Sequence, residues 1–201
     1  MKYTCITILF VVFSIGFFSC KKEKPNTDTP IIGTEDNPIT DFEGNIYKTV
    51  KIGTQIWMAE NLKAKFTSDG TSVSEAYVYN NDESYLQNYG RLYTWEAAKK
   101  PYIEGWHLPG EAEWDILETF LGSDVAAKLK VGGCSGFEAK AGGYRDYWGG
   151  YTELNLWGVF WTSSIYTADH SFVRNVFTFN NNFEHSGCGN IAGNSVRLLK
   201  D

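Results

Sequence analysis

The sequence lacks any cluster of basic residues. It contains 18 Lys and Arg residues against 24 Asp and Glu residues, and its formal net charge is -6 at pH 7. Proteins that bind nucleic acids hold the phosphate backbone with clustered Lys and Arg side chains. We therefore expect no nucleic-acid partner.

Motifs of the common catalytic and metal sites are also missing. The chain contains no G-x-G-x-x-G, G-x-S-x-G, H-E-x-x-H or C-x-x-C, which argues against a dinucleotide fold, a hydrolase, a zinc protease and a zinc ribbon. The histidines are His107, His170 and His185. We expect His107 to be buried and hydrogen-bonded, and His170 and His185 to lie near strand ends that can approach each other. No catalytic residue is assigned, and we expect a protein that is not an enzyme.

The first 19 residues read as an export signal. Lys2 precedes an apolar run over residues 6–18, too short for a comfortable membrane span, and Ser19 precedes Cys20. The pattern predicts a lipoprotein signal peptide over residues 1–19 and lipidation of Cys20. The expected location is the cell envelope, at the outer membrane, on its periplasmic or its surface face. The alternative is a plain signal peptide followed by a chance cysteine.

Residues 20–39 are polar and rich in proline. Such a segment has little to bury, so we predict a lipidated flexible tether over residues 20–39 and a folded domain over residues 40–201.

The folded part predicts an α+β domain. Two β-rich runs, 45–52 and 55–59, flank Gly53-Thr54 and predict an N-terminal hairpin. Short helices are predicted over 93–99, 111–121 and 124–130, the last capped by Ser123. Strands over 160–165, 171–179, 183–185 and 195–200 predict a C-terminal antiparallel sheet.

Residues 132–158 are rich in glycine and aromatic residues without a regular period, which predicts a long functional loop. Aromatic rings can stack on sugars or anchor a protein partner. The candidate ligand-binding residues are Tyr144, Arg145, Asp146, Tyr147, Trp148, Tyr151 and Trp157. The alternative interpretation places Trp148 and Trp157 in the core.

Calcium is the one metal ion that the loop suggests. Asp146, Glu153 and Asn155 carry the oxygen ligands that Ca²⁺ prefers. The alternative is that all three are ordinary solvated loop residues. No other cofactor is expected.

Several ordered segments resemble one family. They are DFEGNIY at 41–47, VKIGTQIWMAENL at 50–62, YGRLYTW at 89–95, GWHLP at 105–109 with Glu113-Trp114, and SVR at 195–197. They resemble the Fibrobacter succinogenes major paralogous domain, common in exported proteins of Bacteroidetes, over residues 41–201. The resemblance implies a C-type-lectin-like or formylglycine-generating-enzyme-like fold. It implies no established activity.

Two positions depart from the family's usual pattern. Tyr102 and Leu198 stand where the family often has cysteines. Cys134 and Cys188 can serve as a substitute disulfide in an exported chain, and the alternative is two separate buried thiols. The related oxidase chemistry needs two thiols in the last segment, which here holds only Cys188, so we do not expect it.

Together these features predict a non-catalytic envelope lipoprotein with a C-type-lectin-like fold. Its aromatic-rich loop binds a glycan or an envelope protein, and its only membrane contact is the lipid anchor. The alternative is a structural or adhesin component of a surface assembly such as a pilus.

Overall fold

The computed structural model describes residues 32–201. The predicted signal peptide, the predicted lipidation site Cys20 and the first part of the predicted tether lie outside the described residues. Within residues 32–201, no helix combines the length and the apolar character needed to span a bilayer.

The described residues form a mixed α+β domain, dominated by sheet, and this confirms the predicted class. The strands are β1 (Gly33–Thr40), β2 (Ile46–Ile52), β3 (Gln55–Met58), β4 (Ala76–Tyr77), β5 (Leu92–Tyr93), β6 (Trp106–His107), β7 (Gly142–Arg145), β8 (Tyr151–Leu154), β9 (Trp157–Ile165), β10 (His170–Phe177), β11 (Phe183–Gly189) and β12 (Leu199–Lys200). The α-helices are α1 (Leu86–Tyr89), α2 (Trp95–Ala98), α3 (Glu111–Leu121) and α4 (Val125–Leu129).

The first sheet has the order β1-β2-β3-β12-β6. Its β2–β3 hairpin confirms the prediction, with Ile52 paired to Gln55 across a turn at Gly53, which has a φ of +61°. Only glycine adopts this backbone region at no steric cost.

The predicted tether boundary at residue 39 is wrong, because Gly33–Thr40 forms β1 and pairs antiparallel with β2. Pro38 lies where the pairing register shifts, between Asp36 and Ile39. Proline donates no hydrogen bond to a ladder, so it is tolerated on an edge strand at such an irregularity. Backbone pairing rather than side-chain burial holds this strand, and hydropathy therefore does not reveal it.

The second sheet has the order β11-β10-β9-β7-β8, and its one parallel pair is β7 with β9. The prediction of an unbroken loop over residues 132–158 is wrong, since β7 and β8 form an antiparallel hairpin and β9 begins at Trp157. Gly142 and Gly143 start β7, and Glu153 and Asn155 have positive φ. Glycine and irregular backbone weaken the alternating pattern that reveals a strand.

Two hydrophobic cores lie on opposite faces of the second sheet. We call them the first core, which contains Val159 and Trp161 of β9, and the second core, which contains Phe160 of the same strand. The second core also holds Trp57 of β3 and Trp114 of α3, whose ring centroids are 4.8 Å apart. Such aromatic pairs add about 0.5–1.5 kcal/mol beyond their buried area.

The predicted helix over 111–121 is confirmed as α3, which buries Trp114, Leu117 and Leu121. Its start is fixed by Glu113, whose Oε2 accepts the Gly110 N–H at 2.7 Å. The predicted Ser123 cap of α4 is wrong. Asp124, with a φ of +57°, precedes α4, and no side chain caps it.

The C-terminal strand predicted over 195–200 is shorter in the structure, where β12 spans Leu199–Lys200, and the preceding residues include a buried arginine. Arg197 is 0% exposed, and its guanidinium donates to Asn61 Oδ1 at 2.8 Å and to the Met58 carbonyl at 3.0 Å. It also donates to the carbonyls of Phe137 and Glu138, at 2.5 and 2.6 Å. Burial lowers the pKa of Arg197 to about 9. Arg197 therefore ties the C-terminal segment to β3 and to the chain after α4.

Candidate functional site

A concave surface of about 830 Å³ opens on the face of the second sheet that carries the first core, and we call it the cleft. Its floor comes from β9, β10 and β11. The β7–β8 turn and residues 189–194 form its walls, and the two segments are joined by reciprocal backbone hydrogen bonds between Arg145 and Gly193, both of 2.8 Å. The lining residues are Tyr144, Asp146, Tyr147, Trp148, Trp157, Val159, Asp169, His170, Val173, Asn175, Ser186, Gly187, Cys188, Gly189, Asn190, Ile191, Ala192 and Asn194.

Two exposed aromatic rings stand at the mouth of the cleft. Tyr147 and Trp148 are 56% and 80% exposed, and their ring centroids are 3.8 Å apart. The turn that carries them is fixed by Asp146, whose Oδ1 accepts the N–H of Trp148 at 2.9 Å and of Gly150 at 2.8 Å. Ile191, which also lines the cleft, is 65% exposed. The mouth thus offers apolar surface on a defined turn.

Two further rings, those of Tyr144 and Trp157, pack together inside the cleft. The centroids of Tyr144 and Trp157 are 5.9 Å apart, and Trp157 stands edge-on to Phe177 at 5.2 Å. Burial raises the pKa of Tyr144, and the negative charges of Glu153 and Asp146 raise it further. Its hydroxyl therefore stays protonated and can donate a hydrogen bond.

Amide side chains supply the polar part of the cleft. Asn175 Nδ2 donates to Ser186 Oγ at 3.0 Å, and Asn194 Nδ2 donates to Cys188 Sγ at 3.3 Å. The backbone of Asn194 is fixed by two hydrogen bonds with Tyr93, at 3.0 and 2.8 Å. Burial raises the pKa of the Cys188 thiol, which makes it a poor nucleophile and a poor metal ligand.

Five of the seven candidate ligand-binding residues line the cleft, and Arg145 and Tyr151 do not. The Arg145 guanidinium lies 4.2 Å from the ring centroid of Tyr77, and the Tyr151 hydroxyl donates to Asn81 Oδ1 at 2.8 Å. Both residues hold the β7–β8 hairpin against residues 77–81, because alternation along a strand sends neighbouring side chains to opposite faces.

The three calcium candidates do not come together. Asp146 lies at the turn of the hairpin, whereas Asn155 lies beyond its other end and accepts the Tyr89 hydroxyl at 2.6 Å. Strand geometry separates the two ends of this hairpin by about 13 Å. Within residues 32–201 there is no group of three or more His, Cys, Asp or Glu side chains arranged to hold a metal ion.

The three histidines each contact a carboxylate. His107 is half-buried between Asp201 Oδ1 at 2.6 Å and Glu113 Oε1 at 2.8 Å. His170 contacts Asp169 Oδ1 at 2.8 Å on the cleft rim, and His185 lies 3.4 Å from Glu111 Oε2.

The expected approach of His170 to His185 is not observed. On β10 and β11, His170 pairs with Gly189 and His185 with Arg174. The two histidines are thus separated by about 13 Å of strand.

Cys134 and Cys188 are free thiols in the structure, so the expected disulfide is not formed there. Cys134 is exposed in the segment between α4 and β7, next to Ser135. Cys188 lies on β11 and packs against the first core. The two thiols therefore occupy different parts of the fold.

Sequence reasoning missed Asn175, Asn194 and Ile191. Alternation along β10 places Asn175 on the same face as Val173, so the strand pattern alone predicts that the two side chains point to the same side of the sheet. No local pattern indicates Asn194 or Ile191, since their segment reaches the cleft only through tertiary packing.

The fold and the cleft define an α+β domain that is built on two five-stranded sheets and carries an open aromatic site. The profile of the Fibrobacter succinogenes major domain matches residues 50–200, so the chain belongs to this family. The resemblance noted from the motifs is thereby confirmed. Neither a curated protein nor a solved structure matches the chain.

Proposed function

We propose that this chain is a non-catalytic glycan-binding protein of the cell envelope and that the cleft is its binding site. The observation that carries the proposal is the Tyr147–Trp148 pair, exposed on a fixed turn at the mouth of a polar-lined cleft.

Aromatic faces bind the apolar C–H faces of sugar rings, while amides and carboxylates hydrogen-bond the hydroxyls. Covering about 60 Å² of the Trp148 ring face contributes about 1.5 kcal/mol, at about 25 cal/mol per Å². The amides of Asn175 and Asn194 lie deeper in the same cleft. A glycan that spans mouth and floor uses both kinds of contact.

A binding role is favoured over catalysis by the state of the polar groups. Glycoside hydrolysis needs a carboxylic acid with a raised pKa, whereas hydrogen bonds from His170 and Thr167 lower the pKa of Asp169. The Oδ1 atom of Asp146 is already engaged by turn N–H groups. Cys188 stays protonated because burial raises its pKa.

The finer fold and the location belong to the same proposal. Two sheets flanked by short helices, with the site on a turn and a long connection, are the basis for proposing a C-type-lectin-like fold. Because Asp146, Glu153 and Asn155 are dispersed, we propose glycan binding that needs no calcium. Lipidation of Cys20 and anchoring at the outer membrane are proposed from the sequence of residues 1–20.

The test is a glycan array probed with the full chain in a detergent that carries no sugar headgroup. We expect a reproducible signal that is unchanged by calcium and lost in Trp148→Ala. Phe42→Ala is the matched control, because Phe42 is 58% exposed and does not line the cleft. An array without signal from correctly folded protein contradicts the proposal.

A second candidate function is a structural role in a surface assembly. An apolar groove of about 520 Å³ beside the edge strand β1 is lined in part by Ile32, Ile52, Ile116 and Phe120. Ile116 and Phe120 are 51% and 52% exposed on α3, and exposed apolar surface beside a strand edge favours protein contacts. Loss of crosslinked envelope partners in Ile116→Lys, with glycan binding retained, supports this role.

A further inference from the structure

The charged side chains that line the cleft are acidic apart from one histidine. Asp146 and Asp169 both line the cleft, and the lining set contains no Lys or Arg. His170 contacts the carboxylate of Asp169. Arg145, next to Asp146 in the chain, is stacked on Tyr77 outside the cleft. The carboxylates among the lining residues therefore favour a cationic group over an anionic one.

Hydrogen-bond acceptors without partners concentrate in the same place. Among residues 32–201, four buried side-chain polar atoms have no partner, and two of these are the Oδ1 atoms of Asn190 and Asn194 in the cleft lining. A third is the hydroxyl of Ser171, which does not line the cleft but lies on β10 opposite the lining residue Cys188 of β11.

The side chain of Asn194 is 0% exposed. A buried acceptor without a donor is rare in folded proteins and costs free energy until a donor is supplied. The wall of the cleft therefore favours a ligand rich in N–H and O–H groups.

We propose that the cleft selects amino sugars, glycans whose rings carry a free protonated amine, and discriminates against glycans that carry carboxylates. The inference rests on the proposed glycan-binding function and adds the ligand class. An ammonium group lies favourably near Asp146 and Asp169 and donates to the unpartnered amide oxygens. A uronic acid brings like charge against the same two carboxylates and contributes no additional donor.

The probes are three hexasaccharides: a β-1,4-glucosamine hexamer with free amines, its fully N-acetylated neutral counterpart and a galacturonate hexamer. Titration calorimetry uses the full chain in sugar-free detergent at low salt and about pH 6, where amines are protonated and Asp carboxylates are ionised. We expect the amine hexamer to bind about fivefold more tightly than the neutral one and the galacturonate hexamer about fivefold more weakly. Both differences in affinity from the neutral hexamer should become smaller as the salt concentration rises, because salt screens charge interactions at an open surface.

The cleft variant is Asp146→Asn with Asp169→Asn. Asparagine keeps the Oδ1 acceptor that each residue uses for its local hydrogen bonds, so the variant removes charge without removing the turn. We expect the ratio of the affinity for the amine hexamer to that for the neutral hexamer to fall to about one. The control is Glu104→Gln with Asp124→Asn, which removes two exposed charges outside the cleft.

The outcomes separate this inference from the proposed function. If the three hexamers bind equally, or the acidic hexamer binds best, the charge selectivity is overturned while Trp148-dependent binding leaves the glycan site standing. If the control variant, Glu104→Gln with Asp124→Asn, lowers the amine-to-neutral affinity ratio as much as the cleft variant does, the selectivity does not come from the cleft. Failure of the amine hexamer to bind also overturns the inference, and the array with Trp148→Ala then decides the proposed function by itself.

Discussion

The rings of Tyr147 and Trp148 lie 3.8 Å apart at the mouth of the cleft, although Trp148 is 80% exposed. Exposing a large ring forgoes the free energy that burial provides. Asp146 nevertheless fixes the backbone of the turn that carries this pair with two hydrogen bonds. Exposed aromatic rings on a fixed turn are typical of a ligand contact, since less backbone conformational entropy is lost when the ligand binds.

The turn gives the first prediction. Asp146→Ala removes the acceptor for the N–H groups of Trp148 and Gly150, and we expect glycan affinity to fall about fivefold or more. The free energy of unfolding should change by only about 1 kcal/mol, because the turn is at the surface. Asp146→Asn is the control that keeps the turn. Equal affinities for the neutral glycan in the two variants would show that the turn does not position the rings.

Arg197 gives the second prediction. Arg197→Met leaves Asn61 Oδ1 and three backbone carbonyls without their donor, and we expect a loss of about 3–5 kcal/mol of unfolding free energy. Arg197→Lys should lose about 2–3 kcal/mol, because one ammonium cannot replace a planar guanidinium. Urea denaturation measures both, and Lys100→Met is the exposed control. A loss below about 1 kcal/mol in Arg197→Met would contradict the structural role.

His107 gives a prediction on pH. Partial burial lowers the pKa of His107, but the hydrogen bonds and charges of Asp201 and Glu113 outweigh it, so the net pKa is raised. The resulting stability is present in full below the unfolded-state pKa of about 6.5 and is lost as the pH rises through the folded-state pKa. The side chain is 38% exposed, so screening limits the effect to about 1 kcal/mol or less.

Urea denaturation across this pH range checks the sign. His107→Gln should remove the pH-dependent difference. A wild-type chain that becomes more stable than the variant as the pH rises would contradict it.

The thiols give the fourth prediction. Cys134 is exposed, whereas Cys188 is half-buried and burial raises its pKa. Alkylation of the native protein should therefore modify Cys134 within minutes and Cys188 only after denaturant is added. Peptide mass mapping without a reductant distinguishes the two. A linked Cys134–Cys188 peptide from protein purified without oxidant would show that the thiols pair.

The elements that sequence predicts well have local signals. The β2–β3 hairpin follows from alternation around Gly53, and α3 follows from the spacing of Trp114, Leu117 and Leu121. Strand β1 carries no such signal, because its pairing to β2 leaves most of its side chains exposed. The β7–β8 hairpin is hidden by its glycines.

The candidate site was predictable on one wall only. Tyr144, Asp146, Tyr147, Trp148 and Trp157 share a short stretch of aromatic sequence, so composition points to them. Asn190 and Asn194 reach the cleft through tertiary contacts, since the backbone of Asn190 bonds to Asp169 and that of Asn194 to Tyr93. Sequence spacing contains no measure of these contacts.

The family motifs and the cleft occupy different parts of the chain. Within the motifs, Asp41 Oδ2 accepts the Tyr47 hydroxyl at 2.5 Å, and Asn61 Oδ1 accepts from Arg197 at 2.8 Å. These contacts build the fold. The cleft residues fall within 144–194, outside every motif segment that carries the resemblance. Family membership therefore establishes the framework, and the ligand must be found by experiment.

Indole N–H NMR of the full chain is the decisive measurement for glycan binding in the cleft. The chain has seven Trp residues, of which Trp148 and Trp157 line the cleft. On titration with a glycan selected from the array, we expect the Trp148 and Trp157 signals to shift and those of the buried Trp57 and Trp114 to stay in place. Shifts confined to indoles outside the cleft, with Trp148 unmoved, would contradict it.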